Sequence, residues 1–344
     1  MSAAAAPAPA PAPVVAVLGA GAWGTTFAKV LADAGCRVRL WGRDDAVARA
    51  VTEEHRNEKY LPGVDLPATI TGTTDAAAAL SGASIVVAAV PSQVARDTLG
   101  AMAHLVEPGA VVVSLMKGVE LSTDRLMSEV VAAALGVDAD RVAVVSGPNL
   151  AKEIAVAQPT ATVVASTSPD TARLVARACT TSYFRPYTND DVVGVELCGA
   201  VKNVIALAVG IAQGLGYGWN TTASLITRGL VEITRLGLAL GADAETFAGL
   251  AGMGDLVATC ASPLSRNHTL GKHLGQGLTL DEAIAATGGT AEGVKSSQSV
   301  LDLARKHGVE MPITAGVVAV VTGAMPVADL GPALLSRPQK AEGV

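Results

Sequence analysis

Aromatic residues make up only 3% of this 344-residue chain, and its four cysteines, Cys36, Cys179, Cys198 and Cys260, form no C-x-x-C pair and stand near no histidine at ligand spacing. The first shortage means that the core is built from Ala, Val and Leu, because half of the residues are apolar. The second excludes a zinc module or a disulfide scaffold and fits buried, reduced thiols in a cytoplasmic protein. The five histidines make no H-E-x-x-H, so no metal site is expected. Basic runs are missing too, and with a net charge of −6 the chain lacks the electrostatics that nucleic-acid binding requires. Any anionic ligand must then meet local positive charge inside a cleft. No run of about eighteen apolar residues is free of charge and glycine, which predicts no integral membrane segment. Residues 1–13, MSAAAAPAPAPAP, lack the basic and apolar regions of a secretory signal and read as a disordered Pro/Ala tail.

What is present begins at Val14. An apolar, β-branched run leads into Gly19, Gly21 and Gly24 in G-x-G-x-x-G spacing, followed by a helix-forming stretch from Phe27 to Ala34. A strand that ends in these glycines and opens a helix is the context in which the motif binds a dinucleotide. Gly19 permits the turn, Gly21 admits the pyrophosphate and Gly24 lets helix pack on strand. The next strand ends in Trp41-Gly42-Arg43-Asp44. A guanidinium there accepts a 2′-phosphate, whereas a carboxylate accepts a ribose hydroxyl. Arg43 therefore points to NADP, with NAD tolerated through Asp44. An ordinary solvated loop charge is the plainer alternative.

Strand-like runs recur at residues 14–18, 37–41, 84–90, 110–115 and 141–146, with two more at 161–166 and 182–187. Helix-compatible segments separate them. The alternation predicts an α/β Rossmann-like half with a doubly wound, mainly parallel sheet over residues 14–190. After the capping cluster Asn189-Asp190-Asp191 the character changes. Residues 192–210 are apolar nearly all round, and helical segments follow at 225–240, 280–287 and 297–307. An all-α domain over 191–330 and a flexible tail over 331–344 complete the expected plan.

Lys202 interrupts the apolar helix and is followed by Asn203. A buried ammonium costs several kcal/mol unless it is paired or its pKa falls, and a lysine so shifted is a suitable acid for the alkoxide formed when a carbonyl accepts hydride. Snorkelling to solvent is the bland reading. Asp255, in Gly252-Met253-Gly254-Asp255, is either a plain N-cap or the partner of Lys202. Ser265-Arg266-Asn267 opens another helical segment and combines a cap, a guanidinium and an amide, a plausible phosphate cradle. Lys117, Val90-Pro91-Ser92 and Ser146-Gly147-Pro148-Asn149 all follow predicted strands, where ligands gather in open α/β sheets.

Taken together these segments resemble the bacterial NAD(P)-dependent glycerol-3-phosphate dehydrogenases. GAGAWGT at Gly19, WGRD at Trp41, NEKYLPG at Asn57, VPS at Val90, MKG at Met116, SGPNLAKE at Ser146, GAVKNVIA at Gly199, LITRGL at Leu225, GMGDLVATC at Gly252, SRN at Ser265 and GVEMPI at Gly308 stand in family order. The resemblance implies reversible reduction of dihydroxyacetone phosphate to sn-glycerol 3-phosphate, which supplies glycerophospholipid synthesis, by a homodimer joined through its helical domain. It implies Lys202 as general acid/base, with Lys117, Gly147, Asn203, Asp255, Ser265, Arg266 and Asn267 holding substrate. Around the cofactor it implies Gly19, Gly21, Ala22, Trp23, Gly24 and Arg43 from the first strand–helix units. Pro91, Lys117, Asn149, Ala151, Arg266, Thr290 and Glu292 complete that set. Asn149 replaces the family's usual Ser or Thr, and Thr290-Ala291-Glu292 replaces a valine-rich V-E-G. A β-hydroxy acid dehydrogenase of the same architecture, or a dinucleotide-binding sensor without catalysis, are the competing readings.

Overall fold

The computed structural model describes residues 12–121, 123–288 and 292–338. Ten strands follow in order: β1 (Val14–Leu18), β2 (Arg37–Trp41), β3 (Arg56–Asn57), β4 (Leu61–Asp65), β5 (Ile70–Thr73), β6 (Ile85–Ala88), β7 (Val111–Ser114), β8 (Val142–Ser146), β9 (Thr160–Ala165) and β10 (Phe184–Asn189). Eight of them form one sheet in the order β10-β9-β8-β7-β6-β1-β2-β5, while β3 and β4 pair separately. Within the large sheet β8 and β9 are antiparallel and the other neighbours are parallel. Every residue of β6, β7 and β8 is buried, as expected of Val-rich strands covered by helices on both faces. The order reverses between β1 and β6, which opens a crevice at the carboxyl ends of those strands.

All seven anticipated strands are present. The hairpin β3–β4 and the edge strand β5 were not anticipated, because Pro62-Gly63 in β4 and Gly72 in β5 read as turn residues. Gly72 instead serves a close approach: a Cβ there would lie 2.3 Å from the carbonyl oxygen of Ala48 on the covering helix Asp45–Glu53. The first helix starts at Ala22 rather than Phe27, because Gly21 is its N-cap.

From Val192 the described elements are all helices joined by loops. Asp191 caps the helix Val192–Gly214 by accepting from the Gly194 amide at 2.8 Å. By length and composition that helix could cross a bilayer, but 89% of its most apolar window is buried inside the molecule, where it is the axis of the second core. The helix Arg266–Gly275 crosses it with glycines on both sides. A Cβ on Gly210 would sit 2.1 Å from the His268 carbonyl oxygen, and one on Gly271 would sit 2.2 Å from that of Leu207. This crossing fixes where Arg266 emerges. Near the end, Leu330–Leu335 forms a helix whose first residue is buried. The stretch read as a tail from residue 331 is therefore ordered through 335, since Leu330 gives it an apolar anchor.

Candidate active site

The glycine loop leaves β1 with Gly19 at φ +127°, and a Cβ there would lie 2.5 Å from the Ala89 carbonyl oxygen. A Cβ on Gly24 would lie 2.0 Å from the carbonyl oxygen of Gly19, whereas one on Gly21 would meet no atom within 4 Å. Gly21 caps the helix Ala22–Asp33 without any side chain, so no cap side chain occupies its first-turn amides. These features fit a pyrophosphate held by backbone at a helix start. Asn57 fixes the loop by donating to the Ala20 carbonyl oxygen at 3.0 Å and to Thr25 Oγ1 at 2.8 Å. Sequence reasoning gave that residue no role, and its only signal was its place in the NEKYLPG motif.

Neighbouring segments close on the loop. A Cβ on Gly42 would come 2.9 Å from that of Ala20, so the exit of β2 lies against it. There Asp44 is fully engaged: it accepts from Ala46 N at 3.1 Å, Val47 N at 3.4 Å and Lys59 Nζ at 2.7 Å. Arg43 beside it is exposed and bonds to none of the described residues. Ala151 is tied to the glycine helix by Thr26 Oγ1, which donates to its carbonyl at 3.2 Å. Asn149 donates to Thr162 Oγ1 at 2.9 Å, and its own Oδ1, like Trp23 Nε1, is buried without a partner. Pro91 is exposed at the exit of β6.

At the end of β7 the crevice holds a charge cluster. Lys202 is 7% exposed and does not snorkel. Its ammonium donates to Asp255 Oδ1 and, at 2.7 Å, to Thr259 Oγ1. Lys117 Nζ donates to Asp255 Oδ2 at 2.5 Å and to the Gly147 carbonyl oxygen at 3.3 Å. Asp255 is not a cap: Gly254 holds that position after the π-turn Leu250–Gly254, and the carboxylate turns inward as the first residue of the helix Asp255–Ala261. Thr259, one turn along the same helix, was missed; its i,i+4 spacing from Asp255 was the available signal. Gly199, one turn before Lys202, keeps this corner open, because a Cβ there would press on Ser146 Oγ at 3.0 Å and on Lys117 Cγ at 3.3 Å.

The electrostatics follow from burial. Burial pushes Lys202 down to about 8; the Asp255 carboxylate opposes that shift and the Lys117 ammonium adds to it. Burial pushes Asp255 up, but the two ammoniums outweigh it and hold the carboxyl below its usual range. Two cations therefore share one anion, and the corner keeps positive charge for an anionic ligand.

Ser265 caps the helix Arg266–Gly275 by accepting from His268 N at 3.3 Å, and Asn267 Oδ1 accepts from Gly293 N at 3.0 Å. Both side chains thus brace the start of their helix, with Arg266 exposed between them. The half-buried Glu292 carboxyl is pushed up by desolvation and drawn back by Arg266, the Ser92 amide, Lys117 and Lys202, so these groups form one field. Asn203 donates back to the Gly199 carbonyl oxygen at 3.4 Å on its own helix. Thr290 lies outside the described residues.

Residues 14–172 match the N-terminal part of the NAD-dependent glycerol-3-phosphate dehydrogenase family, and residues 191–331 match its C-terminal part. A glycerol-3-phosphate dehydrogenase [NAD(P)+] of Streptomyces griseus is 62% identical over 95% of this chain and 97% of its own. Its counterpart in Thermobifida fusca is 57% identical over 95% and 98%. The crystal structure of the Coxiella burnetii glycerol-3-phosphate dehydrogenase superposes with a TM-score of 0.90 at 40% identity, covering 95% of this chain and 99% of that one. This chain belongs to the NAD-dependent glycerol-3-phosphate dehydrogenase family.

Proposed function

We propose that this protein is an oxidoreductase that interconverts dihydroxyacetone phosphate and sn-glycerol 3-phosphate with NADPH or NADH, supplying glycerophospholipid synthesis. The observation that carries the reading is the buried Lys202–Asp255–Lys117 cluster with Thr259, set beside a glycine loop shaped for pyrophosphate. When bound, the nicotinamide supplies or accepts the hydride. Lys202 Nζ holds the proton that the new alkoxide oxygen takes as it forms, and takes one back in the oxidation direction. Asp255 and Thr259 fix the direction of that ammonium. Lys117 and Arg266 supply the positive charge that a phosphate monoester needs in an acidic protein, with Gly147, Asn203, Ser265 and Asn267 completing the substrate side. Gly19, Gly21, Ala22, Trp23, Gly24, Pro91, Asn149, Ala151 and Glu292 line the cofactor side.

Arg43 favours NADPH, since the carboxylate of Asp44 beside it already serves two amides and Lys59. The test follows the loss of reduced-nicotinamide absorbance with NADPH and NADH in parallel, using dihydroxyacetone phosphate against unphosphorylated dihydroxyacetone. Rapid oxidation that needs the phosphate is expected, with the NADPH preference reduced in Arg43→Ala. Binding of NADPH with no turnover of any ketone would overturn the reading.

We also hold that the protein is a cytoplasmic homodimer. Among the described large apolar side chains the two most exposed, Leu335 at 87% and Trp219 at 76%, both belong to the helical half, and the four buried free thiols suit a reducing compartment. A single-chain mass by light scattering would refute the dimer.

A further inference from the structure

Arg43 does not stand alone at the exit of β2. The hairpin β3–β4 reaches it from the other side. Asn57 is 1% exposed and is pinned to the Ala20 carbonyl oxygen at 3.0 Å, and Gly42 packs on the same alanine, so Lys59 and Arg43 both start close to one point of the glycine loop. Lys59 Nζ donates to Asp44 Oδ2 at 2.7 Å, while Asp44 Oδ1 serves the two cap amides. Neighbouring carboxylates are engaged elsewhere: Asp45 faces Arg49 at 3.2 Å, and Glu58 accepts from Gly63 N at 3.1 Å. The hydrogen bond from Lys59 is the first cause that holds the Asp44 carboxyl below its usual range, so Asp44 stays an anion. That charge sits beside Arg43 and would offset it in front of a 2′-phosphate. Lys59 brings the strand end to two cations against one carboxylate. The pair is exposed, its lysine at 55%, and such pairs are worth under about 1 kcal/mol, so a phosphate monoester draws the ammonium from Asp44 at small cost.

We propose that Lys59 is a second determinant of cofactor choice: its ammonium and the Arg43 guanidinium together hold the 2′-phosphate of NADPH, and Lys59 neutralises the carboxylate that would otherwise repel that phosphate. This role rests on the reading of Arg43 as an NADPH contact, which it extends. Without the lysine, Asp44 Oδ2 is free to accept a ribose hydroxyl, so the same change favours NADH. Nothing local in the sequence points to the pairing, because Lys59 lies 15 residues beyond Asp44, at the turn of a hairpin whose Pro62-Gly63 reads as loop.

Adenosine 2′,5′-bisphosphate and AMP are the probes, since they differ only in the 2′-phosphate and carry no nicotinamide. Calorimetric titration into the full chain gives both affinities, and fluorescence titration does the same for NADPH and NADH. In Lys59→Gln the bisphosphate and NADPH are expected to bind about tenfold or more weakly, the scale of a lost hydrogen bond to a charged group. AMP and NADH bind this variant as they bind the parent, or more tightly. Lys59→Arg keeps the charge and is expected to keep the preference. Lys59 is exposed, so neither change disturbs the core. Three results would each overturn the proposal. Bisphosphate affinity that is unchanged in Lys59→Gln but reduced in Arg43→Ala would leave Arg43 as the contact and its reading intact. No change in either variant would remove the NADPH reading of Arg43 as well. Equal weakening of all four ligands in Lys59→Gln would show that the lysine only straps the hairpin to β2. None of these readings depends on turnover, so they stand apart from the test of the reaction.

Discussion

At Lys202 burial and charge pull in different directions, and their balance sets a measurable pH. The amine titrates near 8 instead of 10.5 because desolvation and Lys117 outweigh Asp255. Ketone reduction needs the ammonium, so kcat/KM in that direction is expected to fall as pH rises through about 8, while oxidation of the alcohol rises over the same range. Between about 8 and 10.5 the unfolded chain binds more protons at this residue than the folded one, so this group makes stability increase with pH there. Lys202→Met removes both effects. Turnover drops by roughly 10²-fold or more, and the melting temperature holds or rises, because an apolar stem replaces a charge that is costly to bury. Near-normal turnover would take the proton from Lys202. The sequence made the cost of this lysine visible, since it stood alone in an apolar helix. It could not show that Asp255, 53 residues away, supplies the partner, nor that Lys117 shares it across 138 residues. Such pairing is set by tertiary packing.

Among the elements, the strand–turn–helix unit at Gly19 separates folding from binding within one motif. Gly24 is required by the fold, since a Cβ would meet the Gly19 carbonyl oxygen at 2.0 Å. Gly21 has ordinary backbone angles and open space around it, so the protein alone does not require glycine there. Gly24→Ala is therefore expected to destabilise by about 1–3 kcal/mol. Gly21→Ala should leave stability within about 0.5 kcal/mol yet weaken dinucleotide binding by about tenfold or more, as strained hydrogen bonds to a charged group do. Thermal melts beside a fluorescence titration with NADPH would separate them, and a Gly21→Ala protein that bound normally would remove the loop from the cofactor site. Elements with a strong local pattern were legible: the Val-rich strands, the glycine turn and the all-round apolar helix. Those that rely on neighbours were not. β5 has four residues and a glycine placed for a helix that passes close to it, and β3 has two residues.

Across the whole molecule, the two halves are joined by a borrowed cap. The helix Met127–Leu135 in the sheet half begins at Leu126, which has no polar side chain to offer. Glu196, from the second turn of the long helix, accepts from Ser128 N at 2.8 Å and from Ser128 Oγ. Glu232 does the same for the helix Pro312–Val321. No local signal reveals either, because the partners lie 68 and 81 residues apart. Burial pushes both carboxyls from 4.5 to about 7, against the hydrogen bonds they accept. A raised carboxyl keeps its proton in the folded state longer than in the unfolded one. The linked stability is thus complete below about 4.5 and is lost as pH rises through about 7. Glu196→Gln and Glu232→Gln hold the neutral form at every pH, so the combined variant should gain on the parent as pH rises from 5 to 8 in urea melts. Glu196→Ala, which leaves the helix start bare, is expected to cost about 1–3 kcal/mol. A gap between parent and double variant that stayed constant with pH would mean that both carboxylates are already charged where they sit, and that the caps work as anions at the helix dipole rather than as neutral acids.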